Sequence, residues 1–283
     1  MTTPSLAKKS NSANGPRMYA WPPQPPHEFE VMSVTSAIGN GYPKPFLIPW
    51  AAKVAAECAV DDIDIIKAMI DKGDERAAIG HIKNARNRTM GEKADRGTIV
   101  HAALEAYIAK KPIDDVALAA QLTEARVPRT MWKSTKGMIE GVIKFLKAEK
   151  PTILFSEKTI FSRTYGYAGT ADLGAMCGIE KEPGGKKYPV IIDFKTGKSV
   201  YDDTAMQLAA YARGDFIGNN DGKELPLLKT KDKIEHGIVV RAMASGTYEK
   251  AVFSLSDEVF ELFLHCLAIA GGRQILTQSR RPS

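Results

Sequence analysis

The spacing of the apolar residues changes near residue 151, and this change constrains the fold more than any other feature of the sequence. Before it, apolar residues recur at helical spacing, which predicts helices over residues 45–59, 61–72, 95–110 and 130–149. After it, segments rich in Val, Ile, Phe, Tyr and Thr predict strands over residues 152–162, 166–177 and 189–195. The chain is therefore expected to pack helices against a sheet.

The rest of the chain alternates between the two periods. EKEPGGKK at 180–187 predicts a turn that joins the last two of these strands into a hairpin. The later elements are predicted as a helix over 202–214, strands over 235–244 and 247–254, and a closing helix over 256–276. This order predicts an α/β fold in which a central mixed β-sheet is flanked by helices.

Three segments are distinguished by composition and pattern. Residues 1–28 are rich in Ser, Asn, Pro and Gly and are predicted to form a flexible Pro-rich tail. Residues 29–94 are predicted to form an N-terminal helical extension, and residues 95–283 a core that ends in the C-terminal helix. A chain of 283 residues with 44% hydrophobic residues is long enough to bury one substantial core.

Composition excludes several classes of protein. No apolar run is long enough to span a bilayer, and the first residues lack the apolar segment of a secretory signal, so a cytoplasmic protein without a membrane partner is expected. Cys58, Cys177 and Cys266 are far apart and lack C-x-x-C spacing. Three reduced, mostly buried thiols are therefore expected, rather than disulfides, a structural zinc or a four-cysteine iron–sulfur cluster.

The formal net charge of +6 arises from the two ends of the chain. Residues 1–17 and 273–283 each carry three basic residues and no acid, so the region between them is neutral. Within that region, residues 126–150 hold seven Lys/Arg against two Glu, and residues 76–97 hold six Lys/Arg against two acids. Each stretch is a candidate DNA-contacting surface or an ordinary solvated helix face, and the sequence does not decide between them.

Polar side chains interrupt two strands of the predicted hairpin. In YPVIIDFKTG, Asp193 and Lys195 point to one face of a strand and Phe194 points to the other. A simple salt bridge would explain this pair by itself. Asp172, however, lies in the preceding strand and can converge with Asp193 across the hairpin. Two buried carboxylates repel each other unless a cation lies between them, and oxygen ligands favour Mg²⁺ or Mn²⁺ over zinc.

Two predicted helices add further polar residues. His101 lies beside the apolar stripe of the helix over 95–110, with Glu105 one turn later. Gln207 and Tyr211 are four residues apart and share one face of the helix over 202–214. Each of these residues also fits an ordinary amphipathic helix.

Taken in order, these motifs resemble the PD-(D/E)xK nuclease superfamily, and within it the RecB-like exonuclease branch of phage type, without an iron–sulfur cluster. The resemblance rests on Gly-Thr-x-x-His (97–101), Gly-x-x-Asp (169–172), Asp-x-Lys (193–195) and Gln-x-x-x-Tyr (207–211). Residues 31–59 are weakly similar to the N-terminal part of phage exonucleases in this branch. The sequence departs at Ala171, which stands where the superfamily name expects proline.

The resemblance implies a restriction-endonuclease-like core and a role for each motif residue. His101 would bind the metal or position phosphate. Asp172, Asp193 and the Phe194 carbonyl would be metal ligands. Lys195 would orient the attacking water and stabilise the transition state, and Gln207 and Tyr211 would contact DNA or support the lysine. Glu157, on the preceding strand, is considered a supporting acid and is not assigned to the site.

The implied activity is an Mg²⁺- or Mn²⁺-dependent deoxyribonuclease, an exonuclease acting on single- or double-stranded DNA in recombination, repair or phage DNA metabolism. Helicase motifs are lacking, so a helicase or recombination protein is a candidate partner. One alternative is an inactive nuclease fold that only binds DNA or a partner. Another is a phosphate loop ending in Gly197-Lys198-Ser199, which is disfavoured because Ile192 stands where that loop needs glycine.

Overall fold

A central sheet of mixed strand direction organises the computed structural model, which describes residues 6–8, 15–180, 185–228 and 233–279. The helices are α1 (Val34–Gly41), α2 (Leu47–Asp61), α3 (Ile63–Asp71), α4 (Glu75–Lys83), α5 (Ala85–Ile108), α6 (Asp115–Glu124), α7 (Trp132–Glu149), α8 (Thr204–Ala212) and α9 (Asp257–Ser279). The strands are β1 (Ala7–Lys8), β2 (Met18–Trp21), β3 (Phe29–Ser33), β4 (Thr152–Ser162), β5 (Tyr167–Gly178), β6 (Lys187–Lys195), β7 (Phe216–Gly218), β8 (Glu224–Leu225), β9 (His236–Ala242) and β10 (Tyr248–Ser254).

Strand β5 lies at the centre of the sheet. It pairs antiparallel with β4 on one side and with β6 on the other, which confirms the predicted hairpin. Beyond β6, the sheet continues through a parallel pairing with β9 and an antiparallel pairing of β9 with β10. The mixed strand directions, with helices on the flanks, confirm the predicted α/β fold with a central mixed sheet.

One edge of β5 is shared by two strands that separate from each other. Strand β3 pairs in parallel with the first residues of β5, where Met32 lies opposite Tyr167 and Ser33 opposite Ala168. Strand β6 pairs with the later part of β5, beginning where Leu173 lies opposite Ile192. Among the described strands, residues 169–172 pair with neither of these two neighbours. We call this gap the sheet fork.

Two buried clusters cover the two faces of the sheet. On one face, helices α5, α6 and α7 pack against the strands, with Phe145 and Ile192 in the cluster. On the other face, helices α1, α8 and α9 pack, with Leu208 and Phe263 in the cluster. The sheet fork therefore lies between two helical layers. Among the described helices, none combines the length and the apolar character needed to cross a membrane.

The segment predicted as a flexible tail contributes a buried strand, so this prediction is wrong for residues 18–21. Strand β2 pairs antiparallel with β3, and its Tyr19 and Trp21 side chains are 1% and 2% exposed. Trp21 packs against Phe161 at a ring-centroid distance of 5.1 Å. The proline-rich residues form the turn between β2 and β3 rather than a tail. Residues 1–5 and 9–14 of the predicted tail lie outside the described residues.

Several element boundaries differ from the predicted ones. Helix α5 is continuous from Ala85 to Ile108, so the predicted boundary between extension and core at 94/95 falls inside a helix. Helices α1, α4 and α6 and strand β7 were not predicted. The middle of the predicted turn at 180–187, residues 181–184, lies outside the described residues. The three cysteines are free and buried, as expected.

Side-chain contacts join the helices of the N-terminal extension. Asp62 accepts hydrogen bonds from Cys58 at 3.4 Å, and its carboxylate lies 2.6 Å from His81 Nε2. Arg88 donates to Cys58 Sγ at 3.2 Å and to the His81 carbonyl at 2.8 Å. Helices α2, α4 and α5 are therefore held together around one polar cluster.

Close packing of α7 on the β9–β10 hairpin gives a stability prediction at Gly141. A Cβ added there would lie 2.3 Å from the Thr247 carbonyl oxygen, closer than a carbon atom can approach without a backbone shift. We expect Gly141→Ala to lower the free energy of unfolding by about 1–3 kcal/mol. Urea unfolding followed by circular dichroism measures the change.

Gly80→Ala is the matched control, because a Cβ at this position in α4 meets no atom within 4 Å. It should leave stability unchanged or raise it by up to about 1 kcal/mol, since alanine has the higher helix propensity. Equal unfolding midpoints for Gly141→Ala and the unaltered chain would show that α7 does not pack as described.

Candidate active site

The predicted polar residues of the hairpin meet at the sheet fork. Alternation along β6 turns Phe194 into the cluster with α5 and α7, where it is 2% exposed. Asp193 and Lys195 point to the opposite face, toward α8. The predicted orientation of these three side chains is thus observed.

A chain of hydrogen bonds joins Lys195 to α8. Lys195 Nζ lies 3.0 Å from Asp193 Oδ1 and 2.8 Å from Asp193 Oδ2. Gln207 Nε2 donates to Asp193 Oδ1 at 3.0 Å, and its Oε1 accepts from Lys195 at 3.4 Å. The ammonium group is therefore held between a carboxylate and an amide, with one orientation favoured.

Tyr211 lies behind this pair, one helical turn beyond Gln207. Gln207 Nε2 donates to the Tyr211 hydroxyl at 3.3 Å. Burial raises the pKa of Tyr211 well above its ordinary value, so the phenol stays protonated. A Cβ at Gly169 would come within 2.6 Å of the Tyr211 ring, so the glycine of the Gly-x-x-Asp motif leaves room for this ring. Gly169 therefore contributes to the site only because the absence of a side chain lets the Tyr211 ring approach β5.

Asp172 faces β6 across the sheet fork. The backbone N–H of Phe194 donates to Asp172 Oδ2 at 2.8 Å, in the register where β5 and β6 begin to separate. The same oxygen lies 3.7 Å from His101 Nδ1, which α5 brings in from the other helical layer. Asp172 thus links the strand that carries Lys195 to the helix that carries His101.

Glu157 joins this group, although it was not assigned to the site from the sequence. It lies on β4 between Ser156 and Lys158, whose partners flank Asp172 on β5. Its φ of 48° is in the left-handed region, which is strained for a residue with a side chain. Its Oε1 lies 3.4 Å from His101 Nδ1. The signal available in the sequence was an acid in the middle of the strand that precedes the Asp172 strand.

The charges of this cluster shift the pKa values of its members. Burial raises the pKa of Asp172 to about 7, and the neighbouring Asp193 and Glu157 carboxylates add to the rise while His101 opposes it. Burial tends to lower the pKa of His101, but Asp172 and Glu157 outweigh this effect and raise it to about 9. Burial likewise acts against the charged form of Lys195, but the Asp193 and Asp172 carboxylates hold its pKa above its ordinary value. The cluster therefore holds more buried negative charge than its cations balance.

These residues fit a divalent metal ion. Ligand atoms of His101, Glu157 and Asp172 all lie within 4.8 Å of one another. Glu157 Oε1 is buried, and because its 3.4 Å contact with His101 Nδ1 lacks hydrogen-bond geometry, it accepts no hydrogen bond among the described residues. Carboxylate oxygens and an imidazole nitrogen form a common donor set for divalent metals. The buried Glu157 oxygen without a hydrogen bond, rather than the number of acids alone, is what suits a cation here.

The site opens into a cavity of about 160 Å³. Besides the predicted residues, its lining includes four from the N-terminal segment, namely Arg17, Tyr19, Ser33 and Thr35. The Tyr19 hydroxyl lies 3.2 Å from Thr170 Oγ1, two residues before Asp172. None of the four was predicted as a site residue, because Arg17 and Tyr19 lie in the segment predicted as a Pro-rich tail and Ser33 and Thr35 lie in the predicted helical extension. The apolar run Met18–Trp21 was the available signal for β2.

Residues 76–214, which include every predicted site residue, match the model of the PD-(D/E)XK nuclease superfamily. The central mixed sheet flanked by helices is consistent with a restriction-endonuclease-like PD-(D/E)XK fold. No curated protein matches the chain significantly. Strands β2 and β3 and helix α1 lie before the matched segment, although they complete the cavity.

The structure disfavours the phosphate-loop alternative. Gly197-Lys198-Ser199 follows β6, but α8 begins only at Thr204. A phosphate loop requires a helix that starts directly at its lysine, so that the helix N-terminus faces the phosphates. Residues 197–199 therefore lack the structural context of that motif.

The predicted basic surfaces are partly used in internal contacts. Arg96 donates to Ser134 Oγ at 2.9 Å and to Thr135 Oγ1 at 3.1 Å, joining α5 to α7. Lys136 pairs with Asp115 at 3.0 Å. In the extension, Arg88 already supplies the positive charge beside Cys58, Asp62 and His81, so we assign no metal to that group.

Proposed function

We propose that the chain is a metal-dependent deoxyribonuclease that hydrolyses phosphodiester bonds with Mg²⁺ or Mn²⁺. The observation that carries this proposal is the position of Lys195. Its ammonium group is fixed by Asp193 and Gln207 beside a cavity whose other wall holds Asp172 and His101. A structural salt bridge would not require a buried group of further carboxylates next to it.

Four residues are the proposed metal ligands, namely His101, Asp172, Asp193 and the carbonyl of Phe194. We add Glu157 to this set, because its Oε1 is buried without a hydrogen-bond donor and lies beside His101. When bound, a divalent cation polarises a phosphate and lowers the pKa of a water molecule. The hard oxygen donors favour Mg²⁺ or Mn²⁺.

Lys195 is the proposed catalytic cation. Its raised pKa keeps it protonated at neutral pH, so it can donate to the water or to a phosphate oxygen as negative charge develops there. Gln207 holds both the ammonium group and the Asp193 carboxylate, and Tyr211 holds Gln207. These two residues therefore position the lysine.

The alternative of an inactive DNA-binding module has less support. A nuclease fold that has lost activity would be expected to lack a carboxylate or the lysine. Here Asp193, Lys195 and Gln207 are all present and lie at hydrogen-bonding distance from one another. The order of the motifs supports the finer proposal of an exonuclease of RecB-like type, in recombination, repair or phage DNA metabolism. It also supports a cytoplasmic location and a helicase or recombination protein as a partner.

Digestion of labelled DNA tests the proposal. Purified protein is incubated with single- and double-stranded oligonucleotides, labelled at the 5′ or the 3′ end, in Mg²⁺, Mn²⁺ or EDTA. Cleavage with either metal and none in EDTA is the expected result. An exonuclease releases mononucleotides or short products progressively from one end. DNA binding without cleavage under both metals would favour the inactive module instead.

A further inference from the structure

Two aromatic rings form an exposed stack near the cavity. Phe46 and Tyr201 are stacked at a ring-centroid distance of 5.5 Å with an interplanar angle of 5°. Their residues remain 47% and 49% exposed. Phe46 lies directly before α2, and Tyr201 lies in the loop between β6 and α8. Flat apolar surface is thus presented to solvent rather than buried in either cluster.

The position of this stack relative to the site follows from α8. Asp203, Gln207 and Tyr211 are spaced four residues apart, so they share one face of the helix. Gln207 contacts Lys195, and Asp203 lies one turn before it, about 5.4 Å further along the axis. The Asp203 carboxylate contributes to the raised pKa of Lys195, which also places it near the site. Tyr201 precedes Asp203 by two residues.

An ion pair fixes the other ring at the same place. Lys44 Nζ lies 2.6 Å from Asp203 Oδ2, so the segment that carries Phe46 is held against the start of α8. This ion pair already ties α2 to the loop. The rings are therefore not needed for that connection, and each leaves close to half of its surface to solvent. The exposed faces of the two rings are therefore free to contact a ligand.

The chemistry around the stack suits a nucleobase. Aromatic side chains stack on bases through their flat faces, and neighbouring cations attract the phosphate backbone. Lys198, three residues before Tyr201, is exposed, whereas Lys44 beside Phe46 is partly exposed and already paired with Asp203. Two stacked rings with an exposed lysine beside them, six residues before the Gln207 that contacts Lys195, match the needs of a DNA strand that passes the site.

We propose that Phe46 and Tyr201 form a base-stacking subsite for an unpaired nucleotide next to the phosphate that is cleaved. This inference rests on the proposed nuclease function and specifies its substrate as DNA with a single-stranded segment at the cleft. The outer face of the ring pair stacks on the base, so the subsite does not select a particular base.

Substitution of Tyr201 combined with base removal tests the subsite. Tyr201→Ala should weaken binding of a single-stranded oligonucleotide about tenfold, measured by fluorescence anisotropy in EDTA, where no cleavage occurs. In Mg²⁺, it should raise KM by a similar factor with little change in kcat. Tyr201→Phe, the matched control, keeps the ring and should behave as the unaltered protein does. Thermal unfolding checks that both variants fold.

A series of oligonucleotides with one abasic nucleotide at successive positions provides the decisive readout. At one position, loss of the base should weaken binding by the unaltered protein about tenfold and cause no further loss in Tyr201→Ala. If the loss of affinity from the abasic nucleotide and the loss from Tyr201→Ala instead combine fully at every position, the ring only supports the loop. That result would overturn the subsite. Unchanged affinity in both Tyr201→Ala and Phe46→Ala would overturn it equally.

Failure of the two proposals can be told apart. If the unaltered protein binds DNA but never cleaves it, the nuclease proposal fails, and the anisotropy series still reports on base stacking. If it cleaves DNA and the abasic series shows no dependence on Tyr201, the nuclease proposal stands and the stacking subsite is wrong.

Discussion

Lys195→Ala should lower the rate of DNA cleavage at least about 100-fold while leaving a folded, DNA-binding protein. The ammonium group is the one cation that Asp193 and Gln207 hold toward the cavity among the described residues. Without it, negative charge that develops on the phosphate loses a fixed hydrogen-bond donor. Single-turnover cleavage with Mg²⁺, compared with DNA affinity in EDTA, separates loss of chemistry from loss of binding.

The same change removes the partner of a buried carboxylate, because Asp193 is 3% exposed. The variant should therefore unfold at a lower temperature in EDTA, and Mg²⁺ should restore part of that loss. Lys195→Met, which keeps most of the side-chain volume, serves as a second variant if the alanine protein does not fold. Lys53→Ala is the control, since Lys53 is 72% exposed and distant in sequence. Full cleavage activity in both Lys195 variants would contradict the assignment of Lys195 as the catalytic cation.

Asp172→Asn should have opposite effects on activity and on stability. We expect cleavage to fall at least about 100-fold, because an amide is a much poorer ligand for a divalent cation than a carboxylate. In EDTA at pH 8, however, the variant should unfold at a temperature higher by a few degrees. The amide oxygen can still accept the hydrogen bond from the Phe194 N–H, while one buried negative charge is removed.

The direction of the stability change follows from the pKa of Asp172. Burial raises that pKa from 3.8 to about 7, so ionisation is less favourable in the folded chain than in the unfolded chain. Stability in EDTA should therefore fall as the pH rises from about 4 to about 7, and the asparagine variant should lack this part of the decline. Differential scanning fluorimetry across this pH range measures both curves.

Metal addition distinguishes this explanation from a general effect of charge. Mg²⁺ or Mn²⁺ should raise the unfolding temperature of the unaltered protein and leave that of Asp172→Asn unchanged. Asp71→Asn, at an exposed position on α3, is the control and should respond to metal as the unaltered protein does. An equal response to metal in Asp172→Asn would show that Asp172 does not bind the ion.

The residues that could be predicted are those that local geometry brings together. Asp193 and Lys195 share a face because side chains alternate along a strand. Gln207 and Tyr211 share a face because they are one helical turn apart. The position of Asp172 near Asp193 could be predicted because a strong turn signal joins their two strands into a hairpin. The order of helical and extended segments likewise predicts the α/β class, since few architectures accommodate it.

The residues that could not be predicted depend on pairing between distant parts of the chain. Tyr19 and Ser33 reach the cavity because β3 pairs with the start of β5, and no local pattern encodes that pairing. Met18–Trp21 is only four residues long and adjoins a proline-rich turn, so composition concealed it. Glu157 depends on a left-handed backbone conformation that an ordinary residue rarely adopts.

The sheet fork also has a consequence for the order in which the chain can mature during synthesis. The β2–β3 pair can join the rest of the sheet only once residues 167–168 of β5 have emerged, and α1 is covered only when α9 has formed, since a Cβ at Gly41 would meet the Cys266 backbone. Tyr19 and Trp21 have complete apolar surroundings only once Phe161 and Phe216 have also emerged. A ribosome-bound or truncated chain that ends before α9 therefore contains every motif residue but leaves α1 and α8, the helices on the Lys195 side of the sheet, without their apolar cover.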